Sequence, residues 1–239
     1  MQIYSGVELV AVKKLNYVQH DIEKEFMTEL KALGQTHRKN LIHLFGYCDE
    51  GQHSLLVYEF LSNGPLASFV FADVKPSWRQ RIEIAHGVAR NSDFGLAILT
   101  MNQHQIHTAI RGTKGYVATE WFHMLPITTK VDVCSFGVVL LEIIFCKRSV
   151  DVENNCKEKA NFRDWVYNCY VNGELHVVVD YEPRTFLERW KLQIFVTAAF
   201  WCIQEDPSLR PTMRKVVQML EGKVEVHVPP YPFPYTRTG

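Results

Sequence analysis

The sequence has no net charge, since 26 lysine and arginine residues balance 26 aspartate and glutamate residues. Proteins that bind nucleic acid by neutralising phosphates need an excess of basic residues, so this class of function is disfavoured. The six cysteines form no C-x-x-C motif and no secretory signal precedes them, which predicts reduced thiols in an intracellular protein. The longest apolar run, 136–145, contains Glu142 and is too short to span a bilayer.

The first sixty residues have the pattern of a small sheet with one helix. Short strands are predicted in 1–15, and apolar residues spaced four, four and three apart then indicate one helix face, at Ile22, Phe26, Leu30 and Leu33. Two further strands, 41–48 and 54–60, flank the turn-forming stretch 49–52 and predict a hairpin.

The remainder of the chain is predicted to be mainly helical. Ser77 is positioned to cap a helix, and 91–127 has no sustained period and is predicted to be a long loop. The stretch 130–145 is apolar nearly all round, which is typical of a buried helix. Three more helices are predicted, over 160–171, 185–204 and 212–221.

The fold class expected from this order is α+β, with a sheet region over residues 1–61 and a mainly helical region over 62–222. Residues 223–239 form a third segment, in which four prolines alternate with aromatic residues. Such a composition predicts a tail that is extended or disordered.

Several short motifs carry residue types that suit nucleotide chemistry. Lys13 ends the strand 10–13, and Glu29 follows 16 residues later in the predicted helix, as in a lysine–glutamate pair that holds ATP phosphates. The strand 56–61 leads into a turn, where an adenine ring finds backbone donors and acceptors. Asp93, in Asp-Phe-Gly, supplies oxygen ligands that suit Mg²⁺.

Other motifs indicate a buried ion pair in the helical region. Glu120 ends the phrase Ala-Thr-Glu, and Arg210 lies 90 residues later within Asp-Pro-Ser-Leu-Arg-Pro-Thr. A buried glutamate requires a cation, and the two-pronged guanidinium of arginine suits it best.

In order and type, these motifs resemble a eukaryotic protein kinase domain. Their wording is similar to that of plant lectin-type (S-receptor-like) receptor-like serine/threonine kinases, and the similarity covers nearly the whole chain outside the proline-rich tail. The phrases that carry the resemblance are 34–41, 55–64, 111–121, 201–207 and 219–222. The resemblance implies a two-lobed kinase fold and ATP-dependent phosphoryl transfer to protein serine or threonine.

The resemblance also implies roles for individual residues. An ATP site is implied at Ala11, Lys13, Glu29, Tyr58, Glu59 and Leu61. In it Lys13 is the ATP lysine with Glu29 as its helix partner, Tyr58 is the gatekeeper, and Glu59 and Leu61 belong to the hinge. The other implied roles are metal binding by Asp93, an activation segment containing Thr108, Thr113 and Glu120, and structural support from Asp132 and Arg210.

The cofactors implied are ATP and Mg²⁺, and the partners implied are a protein substrate or a partner kinase, without nucleic acid. The chain itself is expected to be cytoplasmic. The family's parent proteins are plasma-membrane receptors that carry this domain on the cytoplasmic side.

The chain departs from the kinase pattern in three places. The smallest departure is Ala-Thr-Glu at 118–120, where the pattern has Ala-Pro-Glu. The other two concern the glycine-rich loop and the catalytic loop. Only Tyr4-Ser5-Gly6 stands where a glycine-rich loop is expected, and no H-R-D-x-x-x-x-N motif precedes Asp93. The predicted helix runs to Arg90, and only Asn91 and Ser92 separate it from Asp93. The parts absent there amount to about 40 residues and include the aspartate that accepts the substrate proton. We therefore assign no catalytic residue and expect phosphoryl transfer to be impaired.

Two alternatives to an impaired kinase follow from the same observation. One is a non-catalytic interaction module of the pseudokinase type in receptor-kinase signalling, and the other is an active kinase with a substitute base. The missing segment is also expected to leave apolar surface exposed on the buried helix, at Val131, Phe136 and Val139.

Overall fold

The computed structural model describes residues 9–15, 43–50, 53–91, 115–122, 126–149, 162–179 and 188–233 of the chain. The chain separates into two units, Met1–Pro65 and Leu66–Gly239, which we call the sheet unit and the helical unit. A small antiparallel sheet in one and helices in the other confirm the α+β, kinase-like fold class predicted from the sequence.

The described part of the sheet unit is a three-stranded antiparallel sheet. Its strands are β1 (Val10–Leu15), β2 (Leu44–Glu50) and β3 (His53–Glu59), in the order β1-β3-β2. The hairpin predicted between 41–48 and 54–60 is therefore confirmed, with an irregular register near Gly46. The helix predicted around Ile22 to Leu33 lies outside the described residues.

The helical unit contains seven α-helices within the described residues. They are α1 (Leu66–Val70), α2 (Trp78–Asn91), α3 (Lys130–Phe145), α4 (Phe162–Val171), α5 (Leu175–Val178), α6 (Arg189–Cys202) and α7 (Met213–Leu220). Helix α3 has the bounds that the sequence predicts, whereas the short helices α1 and α5 were not predicted. None of the helices in these ranges is both long enough and apolar enough to cross a membrane.

Helix α3 lies at the centre of the core and approaches α6 closely. A β-carbon added to Gly137 would lie 2.7 Å from Cβ of Cys202 and 3.0 Å from the carbonyl oxygen of Ala199. Only glycine allows this distance between the two helices, because larger side chains would force the backbones apart.

The expectation that α3 exposes apolar surface is wrong at two of the three residues named. Val131 is 5% exposed and Phe136 is 3% exposed. Val131 packs with Ala118 and Cys134 in a small separate cluster, and Phe136 belongs to the main core. Val139 is half-buried and also packs against the main core. Other parts of the helical unit therefore cover the helix.

Helix α2 is joined to the end of α3 by a buried arginine. Ser77 and Gln80 form the reciprocal cap that begins α2, with the Ser77 N–H donating to Gln80 Oε1 at 2.9 Å. One turn later, Arg81 donates from Nε to the Pro76 carbonyl at 2.8 Å and from Nη1 to the Ile144 carbonyl at 3.1 Å. The start of α2 is thereby fixed against the last turn of α3.

The end of the chain packs against the helical unit as far as residue 233. Thr212 caps α7 by accepting from the Lys215 N–H, and Gly222 takes a positive φ of 68° after the helix. Residues 225–231 then form neither helix nor strand, yet Phe233 is 4% exposed within the main core. The described part of the predicted tail thus has no regular secondary structure, and its last residue is packed in the core.

Candidate functional site

The predicted ATP lysine and gatekeeper lie on one face of the sheet. Lys13 is opposite Leu56 in the register of β1 and β3, and Ala11 is opposite Tyr58. Because side chains alternate between the faces of a strand, Ala11, Lys13 and Tyr58 share a face, and Lys14 lies on the other. The Lys13 side chain is exposed.

The predicted hinge follows β3 as a short hydrogen-bonded turn. The Glu59 N–H donates to the His43 carbonyl at 2.9 Å, and the Gly64 N–H donates to the Leu61 carbonyl at 3.3 Å. Gly64 adopts a φ of 71°, which a glycine accommodates without strain. Hydrogen bonds thus hold the backbone both at Glu59, the last residue of β3, and in the turn from Leu61 to Gly64 that follows it.

These groups fit part of an ATP site. A lysine ammonium suits nucleotide phosphates, and backbone groups of a hinge suit an adenine edge. Glu29 and Asp93, the predicted helix partner and metal ligand, lie outside the described residues, as do Thr108 and Thr113. The described residues contain no cluster of three or more histidine, cysteine, aspartate or glutamate side chains that could hold a metal ion.

In the helical unit, the predicted ion pair is in contact and completely buried. Arg210 donates from Nη1 to Glu120 Oε1 at 2.6 Å and from Nη2 to Glu120 Oε2 at 2.8 Å, and both side chains are 0% exposed. The same guanidinium donates to the carbonyls of Gln204 at 2.6 Å, Lys130 at 3.0 Å and Glu205 at 3.2 Å. All three guanidinium nitrogens therefore have partners, which is the condition for a buried pair to be tolerated.

Lys130 and Thr119 extend this network. The Lys130 ammonium donates to the Arg210 carbonyl, and burial, followed by the nearby Arg210 charge, lowers the pKa of Lys130. The Thr119 hydroxyl donates to the Glu205 carbonyl at 3.1 Å. Thr119 occupies the position where the kinase pattern has proline, so its hydroxyl supplies a bond that proline cannot make.

A second polar network was not predicted from the sequence. The Tyr116 hydroxyl donates to the Glu142 carboxylate, with oxygen distances of 2.7 and 2.9 Å, and the Ser149 N–H donates to Glu142 Oε1 at 2.6 Å. Burial raises the pKa of Tyr116 to about 12, with a further contribution from Glu142. In the sequence, Glu142 itself indicates that such a network exists, because a carboxylate within an apolar helix requires a partner.

Two further positions in the helical unit bear on the predicted site: Asp132, and the end of α2, which precedes Asp93. Asp132 is half-buried in the first turn of α3. Helix α2 remains helical through Asn91, so Ser92 is the single residue between the end of that helix and Asp93.

Comparisons with known proteins find two matching family models. The model described as "Protein kinase domain" matches residues 67–220. The model described as "Protein tyrosine and serine/threonine kinase" matches residues 3–91, and this match ends at the last residue of α2.

Similar full-length proteins come from rice and Arabidopsis. The G-type lectin S-receptor-like serine/threonine-protein kinase LECRK3 of Oryza sativa subsp. indica is 42% identical over 259 residues, covering 95% of this chain and 32% of that protein. The G-type lectin S-receptor-like serine/threonine-protein kinase RLK1 of Arabidopsis thaliana is 43% identical over 270 residues, covering 99% of this chain and 32% of that protein. The chain thus spans about a third of the length of these relatives.

The matched stretch is longer than the chain itself. The alignment with the Arabidopsis protein extends over 270 positions, whereas the chain has 239 residues. That relative therefore contains residues within the matched stretch that have no counterpart here.

Proposed function

Because the chain belongs to the protein kinase domain family, we propose that it is a serine/threonine kinase-type domain whose phosphoryl transfer is impaired. Kinases of this family transfer phosphate from ATP with the help of Mg²⁺. A catalytic-loop aspartate accepts the proton of the substrate hydroxyl, and an asparagine of the same loop binds a second metal ion. The family chemistry therefore depends on a loop that precedes Asp-Phe-Gly.

The distance along the chain between α2 and Asp93 carries this proposal. Since α2 is helical through Asn91, the chain from Asn91 to Asp93 passes through Ser92 alone. Two such steps reach at most about 7 Å, which leaves no room for the eight-residue H-R-D-x-x-x-x-N motif. The excess length of the relatives within the aligned stretch supports the same interpretation.

We further propose that the nucleotide-binding residues are Ala11, Lys13, Tyr58, Glu59 and Leu61, assisted by Glu29. Lys13 would neutralise phosphate charge, and the hinge backbone would orient the adenine. Asp93 is the proposed ligand of Mg²⁺, which would screen the phosphates when bound. The shared face of Ala11, Lys13 and Tyr58 supports this assignment.

The first test is a phosphotransfer assay on the full chain, with radiolabelled ATP, Mg²⁺ and a general protein substrate. We expect incorporation no greater than that of the Asp93→Ala variant, because neither chain has a base. An intact kinase of the same family serves as the positive control. Transfer by the parent chain that Asp93→Ala abolishes would show that a substitute base exists.

The second test separates nucleotide binding from catalysis. In a thermal-shift assay with Mg²⁺ and ATP, we expect the stabilisation of the parent chain to be lost in Lys13→Met and kept in Lys14→Met. The two lysines are neighbours on β1 with opposite faces, so Lys14 is a matched control. Equal losses in both variants would contradict the assigned role of Lys13.

A non-catalytic interaction module in receptor-kinase signalling is the second candidate function. The burial of the Glu120–Arg210 pair favours it, because the helical unit keeps its packed core without a catalytic loop. The proposed partner is an intact kinase domain on the cytoplasmic side of a membrane receptor. Absence of any thermal shift with ATP, together with measurable binding to such a domain, would favour this function over the first.

A further inference from the structure

Residues 223–233, which we call the C-terminal strap, are bonded to the helical unit through their carbonyl groups. The Trp201 indole N–H donates to the His227 carbonyl at 2.8 Å, and Gln204 Nε2 donates to the Pro230 carbonyl at 3.1 Å. The Glu205 N–H donates to the Pro232 carbonyl at 3.1 Å. These bonds attach the strap to α6 and to the two residues that follow Ile203 after the end of that helix.

Aromatic side chains fix the far end of the strap. Tyr231 meets the Tyr167 ring of α4 edge-on, at 5.1 Å between centroids, and Tyr231 is in turn 5.8 Å from Phe233. The Arg163 guanidinium lies 5.6 Å from the Phe233 centroid. Aromatic contacts of this kind add to the energy of area burial, so the strap is anchored independently of its hydrogen bonds.

The segment that the strap contacts also holds the buried ion pair. The Gln204 carbonyl accepts from Arg210 Nε at 2.6 Å, and the Glu205 carbonyl accepts from Arg210 Nη2 at 3.2 Å and from Thr119 at 3.1 Å. Gln204 and Glu205 therefore bond to the strap on one side and to the Arg210 network on the other. The match to the protein kinase domain model ends at residue 220, so the strap lies beyond the region that this model matches.

We propose that the C-terminal strap is a positioning element for the Glu120–Arg210 pair. Gln204 and Glu205 lie beyond the last turn of α6, where no helical hydrogen bonds fix their carbonyls. The strap supplies that restraint, and its prolines reduce the conformational entropy that is lost when it docks. When the strap opens, the carbonyls of Gln204 and Glu205 no longer orient the Arg210 guanidinium. The segment 118–122, which contains Glu120, then loses its fixed position as well.

Hydrogen exchange on the full chain tests this inference through Phe233→Ala, with Leu192→Ala as the matched control. Leu192 is 4% exposed in the same core, but it lies in the first turn of α6, about 15 Å along the helix from its end. We expect Phe233→Ala to raise amide exchange in 118–122 and 203–210 roughly tenfold more than in α2, as a local opening would. Leu192→Ala should raise exchange in 118–122 and 203–210 no more than in α2.

A second, milder variant keeps the test valid if Phe233→Ala does not fold. Trp201→Phe keeps an aromatic ring and removes the indole donor to His227, so the same two segments should exchange roughly threefold faster, with α2 unchanged. A uniform increase over the helical unit, or parent rates in 118–122 and 203–210 in folded variants, would overturn the proposal.

Discussion

The two cations that the sequence singles out have opposite environments in the two units. Arg210 is 0% exposed in its side chain and donates to Glu120 and to three carbonyls of the helical unit. Lys13 is exposed on β1, where the strand register places it on the same face as Ala11 and Tyr58. The helical unit thus completes its own polar network. The proposed role of Lys13, by contrast, depends on a nucleotide and on Glu29.

The largest expected effect is the loss of Arg210. Arg210→Ala leaves the Glu120 carboxylate buried without a cation, so we expect a loss of about 3–5 kcal/mol in the free energy of unfolding. Lys13→Ala in the sheet unit should change it by less than about 0.5 kcal/mol, as for other exposed residues.

Urea unfolding followed by tryptophan fluorescence measures the first of these changes selectively, because all five tryptophans belong to the helical unit. Circular dichroism reports on both units together and serves for Lys13→Ala. A Lys13→Ala cost as large as that of Arg210→Ala would remove the contrast between the two cations.

Gly137 in the helical unit and Gly46 in the sheet unit allow the tightness of packing in the two units to be compared. Gly137→Ala places Cβ 2.7 Å from Cys202 Cβ, and such overpacking costs about 1–3 kcal/mol. Gly46→Ala in β2 meets no atom within 4 Å, so we expect a change of less than about 1 kcal/mol. Thermal unfolding of both variants measures the difference. Equal melting temperatures would show that the α3–α6 contact yields easily.

The Tyr116–Glu142 network predicts a smaller, pH-dependent effect. The folded-state pKa of Tyr116, about 12, exceeds the ordinary value of 10.0. Its contribution to stability is therefore complete below pH 10 and is lost as the pH rises towards 12. The free energy of unfolding of the parent chain should fall more steeply from pH 10 to 12 than that of Tyr116→Phe. Parallel pH profiles would exclude a raised Tyr116 pKa.

The smallest effect is expected at an exposed ion pair of the helical unit. Arg79 Nε lies 2.9 Å from Glu83 Oε1, and the two side chains are 77% and 61% exposed. Arg79→Ala should cost less than about 0.5 kcal/mol, since water and salt screen such pairs. A cost in urea unfolding near that of Arg210→Ala would show that burial is not what distinguishes the two pairs.

Prediction from the sequence succeeded where one property dominates a long segment. Helix α3 is apolar almost throughout, so both of its bounds were predicted correctly. Helices α1 and α5 contain five and four residues, which is too short for a periodic pattern to emerge. The Glu120–Arg210 contact was predicted from motifs, whereas Tyr116–Glu142 was not, because spacing alone does not show which hydroxyl reaches a buried carboxylate.

The expected exposure of Val131 and Phe136 was wrong for a related reason. A missing segment was assumed to uncover the helix surface, but burial depends on every neighbour in three dimensions. Val131 packs with Ala118 and Cys134, and Trp121 and Ile127 pack against this cluster. Sequence spacing therefore does not predict which neighbours cover α3.

The buried contact of Arg81 has a consequence for the electrostatics of α3. The last carbonyls of a helix form the negative end of its dipole, where a positive charge is favourable. Arg81 brings a guanidinium to the Ile144 carbonyl within that last turn, and α3 ends there with Cys146 in the left-handed conformation. The Arg81 guanidinium, in the first half of α2, thus compensates the negative end of the α3 dipole. From α2 this contact needs only Arg81, which precedes Asn91, so the compensated end of the central helix does not depend on the segment that follows α2.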